Sequence, residues 1–406
     1  MSQRIIITGA FRFPEGDAAS ARVVGTAKAL RKAGFAVEFA GWEDQERPED
    51  KQPEGGYSYQ GFKYTSQSDL REQKLSPWKR LVRYLLMGSN TLKWLKSTDL
   101  TDVSSIVAYH GSSIFLLRLM FFCFKKNIKL FFDCTEWYDS KNLVGGRLGI
   151  VSIDNAIRMY LINKVIGQGI VISSYLEGYY KNKNCRILKV PPLIDIADAK
   201  WHSEDTNTHQ PNAGDSLKLV YAGTPAKKDL LGNALRGLKI LHAEGCKIEL
   251  HLLGPSRKAL LECLDGEESV LHEIEDMLVL HGRVKQMDVP KLVAKADFSI
   301  LLRPQERYAQ AGFSTKFVES LMASVPVIAN VTGDIASFIK DNESGILIES
   351  ETPEDFAKGV RRAINMPIEK KQSMRCNARR LAEESFDFRL YEESLRVLFD
   401  DNPSFN

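Results

Sequence analysis

The segment FSILLRPQERYAQAGFSTKFVESLMASVPVIA, residues 298–329, constrains the fold of this chain more than any other. Residues 298–302 form an apolar run that reads as a parallel-sheet strand, and residues 315–322 carry Phe317, Leu321 and Met322 at helical spacing. A second apolar run follows from Pro326. Strand, loop, helix and strand in direct succession build a corner suited to phosphate. The loop holds Ala311, Gly312, Phe313 and Ser314. Gly312 lets the backbone approach a ligand closely, and Ser314 or Thr315 can cap a helix whose free N–H groups and positive dipole end suit an anion. Lys316 adds charge at that point. Glu319 falls one turn further, where a carboxylate can accept hydrogen bonds from two vicinal hydroxyls, as a ribose offers. The arrangement points to a nucleotide.

Length supports two such sheets. At 406 residues the chain suits two domains of roughly 200 residues, each able to bury a real core. With 55 Lys and Arg against 52 Asp and Glu, the net charge of +3 is too small to make nucleic acid the main partner. The six cysteines show no Cys-x-x-Cys spacing and no paired histidines, so neither zinc nor a disulfide framework is expected. The chain enters a strand at once, and no apolar run approaches the roughly 20 residues that span a bilayer, so the expectation is a cytoplasmic protein without a signal peptide.

Alternating strand and helix signals run through both halves. The first half reads as strand 4–8, loop 9–20, helix 21–33 and strand 36–40, with further strands at 105–109, 129–133 and 169–172. The loop PEGDAASAR, with Gly16 and Asp17, leaves the carboxyl end of the first strand, where ligands of doubly wound sheets lie. Residues 202–216, HSEDTNTHQPNAGDS, are polar and nearly free of aliphatics, as a linker would be. A second alternation follows, with strands at 217–221, 249–253, 279–281 and 298–302 and helices at 230–243, 257–264, 290–296 and 315–322. The expected domains are 1–200, a linker at 201–216, and 217–387. A last helix at 388–399 has Tyr391, Leu395 and Leu398 on one face.

Other clusters carry candidate chemistry. YAGTPAKKD, residues 221–229, leaves the first strand of the second half and opens a helix. Gly223, Thr224, Lys227 and Lys228 could therefore hold a pyrophosphate, with two solvated lysines as the alternative. FFDCTEWYD, residues 131–139, places Asp133 and Glu136 at a strand end, where they could bind acceptor hydroxyls or simply cap a loop. His110 follows another strand. Residues 77–96 interleave Trp78, Leu81, Leu85 and Trp94 with Lys79, Arg80, Arg83, Lys93 and Lys96, which suits an anionic bilayer surface or an ordinary solvated helix. SIFLLRLMFFCFKK, residues 113–126, is apolar nearly all round. It reads as a core helix, with partial membrane contact through Phe121, Phe122 and Phe124 as the alternative.

The segment 298–329 resembles the donor-binding motif of the retaining glycosyltransferases of family four. These pair two glutamates eight positions apart before a Pro-Val-Ile strand. Glu319 matches the second, Ser324 to Ile328 match the ending, and Ala311 stands where the first glutamate belongs, with Glu306 a substitute to consider. HLLGP at 251–255 and HGRV at 281–284 resemble two further family segments, and Arg283 and Val284 precede the loop that reads the base in that family. The family's usual arginine after the glycine is Thr224 here, so Arg303 is the candidate replacement. A usual histidine in the first domain is Thr135.

The resemblance implies the α/β GT-B fold, two Rossmann-like domains facing across a cleft, with the C-terminal helix crossing back to the first domain. It further implies hexosyl transfer with retention from a nucleotide diphosphate sugar to a glycan or lipid-linked glycan, in bacterial surface polysaccharide assembly. The loop at Gly16 and Asp17 would close over the sugar. Lys228, Arg303 and the helix start at Gly312 would neutralise the diphosphate, so no metal or other cofactor is expected. A protein of this kind would work in the cytoplasm or at the inner face of the membrane. Two alternatives remain open: a degenerate binding or scaffold subunit, and a nucleotide-sugar epimerase of the same fold.

Overall fold

In a computed structural model of the chain, the structure describes residues 3–42, 46–69, 82–143, 145–202, 216–225 and 228–400. The chain forms two compact units, Met1–Leu193 with Phe388–Asn406, and Ile194–Asp387.

In the first unit, eight strands form one sheet: β1 (Arg4–Gly9), β2 (Ala36–Gly41), β3 (Tyr57–Tyr59), β4 (Phe62–Ser66), β5 (Val103–Tyr109), β6 (Lys129–Cys134), β7 (Gln168–Val171) and β8 (Arg186–Lys189). Their order is β3-β4-β2-β1-β5-β6-β7-β8, parallel throughout except for the β3/β4 hairpin. The parallel strands are continuous apolar runs because helices cover both faces, leaving no solvent-facing side to alternate toward. The hairpin and β8 escape the sequence reading. Their sequences, YSY, FKYTS and RILK, mix polar and apolar residues toward the edges of the sheet, so no apolar run marks them.

The first helix, Ala18–Lys32, starts where its capping chemistry dictates. Asp17 accepts from the backbone N–H of Ser20 at 2.9 Å, and the Asp17 N–H donates to Ser20 Oγ at 3.0 Å, a reciprocal cap. From this helix Arg22 reaches into the core and binds Asp133 at the end of β6, with Nη2 to Oδ1 at 3.0 Å and Nε to Oδ2 at 3.2 Å. Arg22 also donates to the carbonyls of Val190 and Pro191. Both side chains are almost wholly excluded from solvent. Asp133 is therefore a structural anchor, and the expectation that it meets acceptor hydroxyls is corrected: both of its oxygens are already held by a buried guanidinium.

At the C-terminus, a 3-10 turn Phe388–Tyr391 leads into the helix Glu392–Phe399. Its Leu395, Leu398 and Phe399 enter the core of the first unit, with the Phe399 ring 4.2 Å from that of Phe131. The chain thus returns to the unit in which it began.

The second unit is an all-parallel sheet of β9 (Leu217–Ala222), β10 (Ile248–Leu253), β11 (Leu278–Gly282), β12 (Phe298–Leu301), β13 (Val327–Asn330) and β14 (Gly345–Ile348), in the order β11-β10-β9-β12-β13-β14. It takes in residues before the polar stretch. Ile194 donates its N–H to the Phe386 carbonyl at 2.9 Å, and Trp201 is buried against Phe317, Leu321 and Ala378. Most of the polar stretch, 203–215, lies outside the described residues. In each sheet the strand order reverses once, between β1 and β5 and between β9 and β12. Such a reversal leaves a crevice at the carboxyl ends of the strands.

Breaking a buried ion pair strands a charge in a low-dielectric interior. Asp133→Ala is thus expected to destabilise the protein by about 3–5 kcal/mol in urea unfolding. Native stability in that variant would show that Asp133 is not an anchor.

Candidate functional site

The reversal between β9 and β12 gathers the loops that follow both strands. After β9, Gly223 has φ +129°, a conformation other residues rarely adopt, and a Cβ placed there would lie 2.6 Å from Lys316 Cε. The loop is laced to its neighbours: the Gly223 N–H donates to the Leu253 carbonyl at 2.8 Å, and the Gly254 N–H to the Gly282 carbonyl at 2.8 Å. After β12, Arg303 is held by Asn330 at the end of β13, whose Oδ1 accepts from the Arg303 N–H at 2.8 Å and whose Nδ2 donates to the Arg303 carbonyl at 2.7 Å. Asn330 thus acts as a strand partner just past the end of β12, and buries Arg303 in place.

Lys316 sits in the first turn of the helix Thr315–Met322. Its ammonium donates to Asp229 Oδ2 at 2.6 Å and to the Tyr221 hydroxyl at 3.0 Å, and lies 4.6 Å from the centre of the Tyr221 ring. Burial lowers its pKa below the ordinary lysine value; Asp229 opposes that shift, and Lys228 and Arg303 add to it. Three cations thus converge on one spot while one carboxylate holds the central one. The sequence reading placed Lys316 against the ligand and overlooked Asp229. The aspartate four residues beyond a strand-end Tyr-Ala-Gly-Thr-Pro turn was the available signal.

Glu319 lies one turn along the same helix, half-buried, with no hydrogen-bond partner among the described residues. Burial raises its pKa above the ordinary carboxylate value, with Lys200 and Lys316 opposing. A recessed acceptor left without a donor is what a ligand hydroxyl would satisfy.

The remaining donor-side candidates scatter in role. Ser314 occupies the cap position but makes no side-chain cap, so the expected Ser314 hydroxyl cap is absent. Phe313 turns into an aromatic cluster with Phe317, Phe338 and Phe386, at ring distances of 6.0, 5.7 and 5.8 Å; only its backbone is available to a ligand. Ala311 and Gly312 are buried, and Ala311 closes the short helix Arg307–Ala311. Glu306 stands exposed at the other end of that helix. Thr224 and Arg283 are exposed, Lys228 and Val284 half-buried, and Lys227 lies outside the described residues.

In the first unit the reversal between β1 and β5 sets the start of the loop after β1 against the end of β5, where the Ala10 N–H donates to the Tyr109 carbonyl at 3.1 Å. Gly9, ending β1, touches the β5 backbone so closely that a Cβ would fall 2.0 Å from the Tyr109 carbonyl. Gly16 is exposed with φ +143°, and the Asp17 carboxylate is spent on its helix cap, a correction to its sugar-facing role. His110 Nδ1 lies 2.9 Å from Arg158 Nη1, and its Nε2 2.6 Å from Thr135 Oγ1. A guanidinium only donates, so Nδ1 accepts and the ring proton sits on Nε2, pointing at Thr135. Burial, then Arg158 and Arg22, hold the imidazole pKa well below its ordinary value, and His110 is neutral. Arg158, missed in the sequence, sits on a π-helical turn, Arg158–Ile162, a deformation frequent at functional sites. Glu136 is half-buried beyond β6. Among the described residues, no group of three or more His, Cys, Asp or Glu side chains is placed to hold a metal ion.

Residues 205–381 match the sequence family described as Glycosyl transferases group 1, a stretch that lies within the second unit. No curated protein sequence matches the chain significantly. Sucrose-phosphate synthase from Thermosynechococcus elongatus shares its fold with 14% identity and a TM-score of 0.70 over 98% of each chain. HepE of Anabaena, in complex with UDP, does so with 13% identity and a TM-score of 0.66, over 97% of this chain and 98% of that one. An E. coli trehalose-6-phosphate protein bound with UDP-2-fluoro glucose has 11% identity and a TM-score of 0.69, over 99% and 100% of the two chains. The fold is GT-B, with two Rossmann-like units.

A carboxyl whose pKa is raised by folding contributes stability that is full below the ordinary carboxylate range and lost as pH rises through the raised value. Glu319→Gln should therefore raise the melting temperature of the unliganded protein at neutral pH by about 2 °C. The gain should vanish on acidification, as the native carboxyl takes up its proton. Identical melting at both pH values would place the Glu319 carboxylate in solvent.

Proposed function

We propose that this chain is a retaining glycosyltransferase that moves a hexose from a nucleotide diphosphate sugar to a glycan or lipid-linked glycan in bacterial surface polysaccharide assembly. The observation that carries the reading is the partnerless Glu319 carboxylate one helical turn from a cluster of Lys228, Lys316 and Arg303, within the stretch that matches the group 1 glycosyl transferases. Two vicinal ribose hydroxyls would donate to Glu319. The diphosphate would lie against Lys228, Arg303 and the N-terminal amides of the helix Thr315–Met322, with no bridging metal required. HepE and the E. coli protein carry UDP or a UDP sugar, which puts UDP first among the nucleotides to test.

The chemistry follows from charge. As the bond from the anomeric carbon to the phosphate oxygen breaks, negative charge grows on the leaving diphosphate, and fixed cations and amide dipoles stabilise it more than they stabilise the bound donor. The acceptor oxygen bonds to the anomeric carbon, and its proton passes to an oxygen of the departing diphosphate. His110, neutral and with both ring nitrogens engaged by Arg158 and Thr135, neither carries charge nor serves as a base, and its part is to hold those two side chains in place. One observation favours a second reading. Ala311 is buried where the resembling family places a glutamate, so a subunit that binds nucleotide without turning it over is the alternative.

Thermal-shift measurements against UDP, GDP, ADP and CMP separate these readings. One diphosphate should stabilise the protein without magnesium, by about 2.7 kcal/mol at a hundredfold excess over Kd. Silence toward all four would defeat the nucleotide site itself, and stabilisation without sugar turnover would leave the binding subunit. Glu319→Ala should weaken that nucleotide about tenfold or more. Lys228→Ala should weaken the diphosphate and slow turnover while leaving nucleoside affinity unchanged. An equal loss for nucleoside and diphosphate would remove Lys228 from the pyrophosphate.

A further inference from the structure

One helical rod in the first unit leaves an aliphatic stripe in solvent. Ile150–Ile157 continues through the π-helical turn Arg158–Ile162 into Asn163–Ile166. Its inward side carries Ser152, Asn155, Arg158 and Asn163 beside Met159 and Ile162, all buried. Its outward side shows Ile150, Ile153, Ile157, Leu161 and Val165, between 40% and 56% exposed, and Leu148 just before it is 88% exposed. An ordinary surface helix of a water-soluble fold points its apolar stripe at the core. Here the inward side mixes polar and apolar groups, and a second aliphatic stripe is left over, facing away from the core and open to an apolar environment outside it.

The neighbouring helix extends the same surface. Ser113–Lys126 is tied to the rod by Ser113, whose N–H donates to Asp154 Oδ1 at 2.8 Å and whose Oγ donates to the Asp154 carbonyl at 2.9 Å. It buries Phe115, Leu116, Leu119 and Phe122, which matches the core-helix reading of this segment on one side only. Leu117, Phe121 and Phe124 face solvent, Phe124 at 83% exposure. Patches of this kind mark interaction sites.

Charge selects the occupant. The helix Ser113–Lys126 holds Arg118, Lys125 and Lys126 and no acid, and residues 146–166 add Arg147 and Lys164. The acid within those segments, Asp154, is engaged by Ser113. Lys125 lies with its ammonium 4.5 Å from the Phe121 ring centre and Lys164 with its own 5.7 Å from that of Tyr160. Each is an apolar body with a cation at its rim, the pattern of side chains that reach from hydrocarbon toward headgroups. Among the described residues no helix is long and apolar enough to cross a membrane, so the surface suits lying on a bilayer rather than spanning it.

The geometry points to this face, on the helix Ser113–Lys126 and the rod 148–166, as the one that seats the first unit on an anionic membrane surface. It moves the membrane contact away from residues 77–96, of which 77–81 lie outside the described residues. It deepens the lipid-linked acceptor reading and rests on it, since a surface-bound enzyme meets such an acceptor without its leaving the bilayer.

Cosedimentation with vesicles of phosphatidylcholine, with and without phosphatidylglycerol, tests the proposal without donor or acceptor. The same protein's thermal shift with UDP and GDP judges the transferase reading separately. The protein should partition onto the phosphatidylglycerol vesicles and far less onto the neutral ones. Phe124→Glu with Leu161→Glu should lower that partition about tenfold or more, and Arg118→Glu with Lys125→Glu comparably. Both variants should melt like the parent, since the altered side chains stand in solvent. No binding to either vesicle, or binding indifferent to both variants, overturns the proposal. So does a self-association that the apolar variant abolishes in analytical ultracentrifugation without any vesicle binding, which would assign the face to a second copy of the chain.

Discussion

The second unit depends on where β9 parts from β12. Parallel strands can be joined only by crossovers, and the first three strands of this sheet wind one way from β9 while the last three wind the other way from β12. Helices and loops that would otherwise cover the carboxyl ends are pulled apart there, and the Gly223 loop, Arg303 and Lys316 fill the opening. The Leu230 N–H donates to the Leu302 carbonyl at 3.0 Å, fastening the loop after one strand to the end of the other. A glycine at 223 is then favoured by its φ of +129°, with the Lys316 stem crowding the place of a Cβ. Position, charge and backbone conformation at this site are consequences of one strand order.

Two carboxylates within this fold illustrate how burial sorts charge. Asp133 is closed off with Arg22, each oxygen matched to a guanidinium N–H, and the pair holds the first helix to the sheet. Asp229 holds Lys316 in a setting that stays partly open, with Lys228 and Arg303 near enough to act on the same ammonium. The first pair has nothing left to offer a ligand. The second gathers Lys316, Lys228 and Arg303 about one spot, a setting whose potential suits an anion. Glu319 is the complementary case, an acceptor without a donor, and together they outline a molecule that is anionic at one end and hydroxylated at the other.

Local rules are broken where function is expected. Native folds satisfy most propensities at once and violate a few at working positions. The π-helical turn at Arg158, the left-handed φ of +55° at His110 and the outward aliphatic stripe of residues 148–166 all lie in one region of the first unit. Arg158 links two of them. Its guanidinium fixes the His110 tautomer from the inner side of the rod whose outer side is apolar.

The sequence by itself determined the fold class, because uninterrupted apolar runs separated by amphipathic helices leave no arrangement but parallel sheets covered on both faces. It also marked the segment of Gly312, Lys316 and Glu319, since a glycine-bearing loop opening a helix is a local property. The short edge strands β3, β8 and β14 were not legible, being too brief or too polar to show a period. Nor were the partnerships. Asp17 reads as a loop residue until Ser20 closes its cap, and Asp133 reads as a substrate-facing carboxylate until Arg22, 111 residues away, takes both of its oxygens. Residues 113–126 read as a core helix because composition cannot say which neighbour covers a face. Only the tertiary structure decides which charges are matched and which apolar faces stay bare, because pairing and burial are set by residues distant in sequence that the fold brings within a few ångströms.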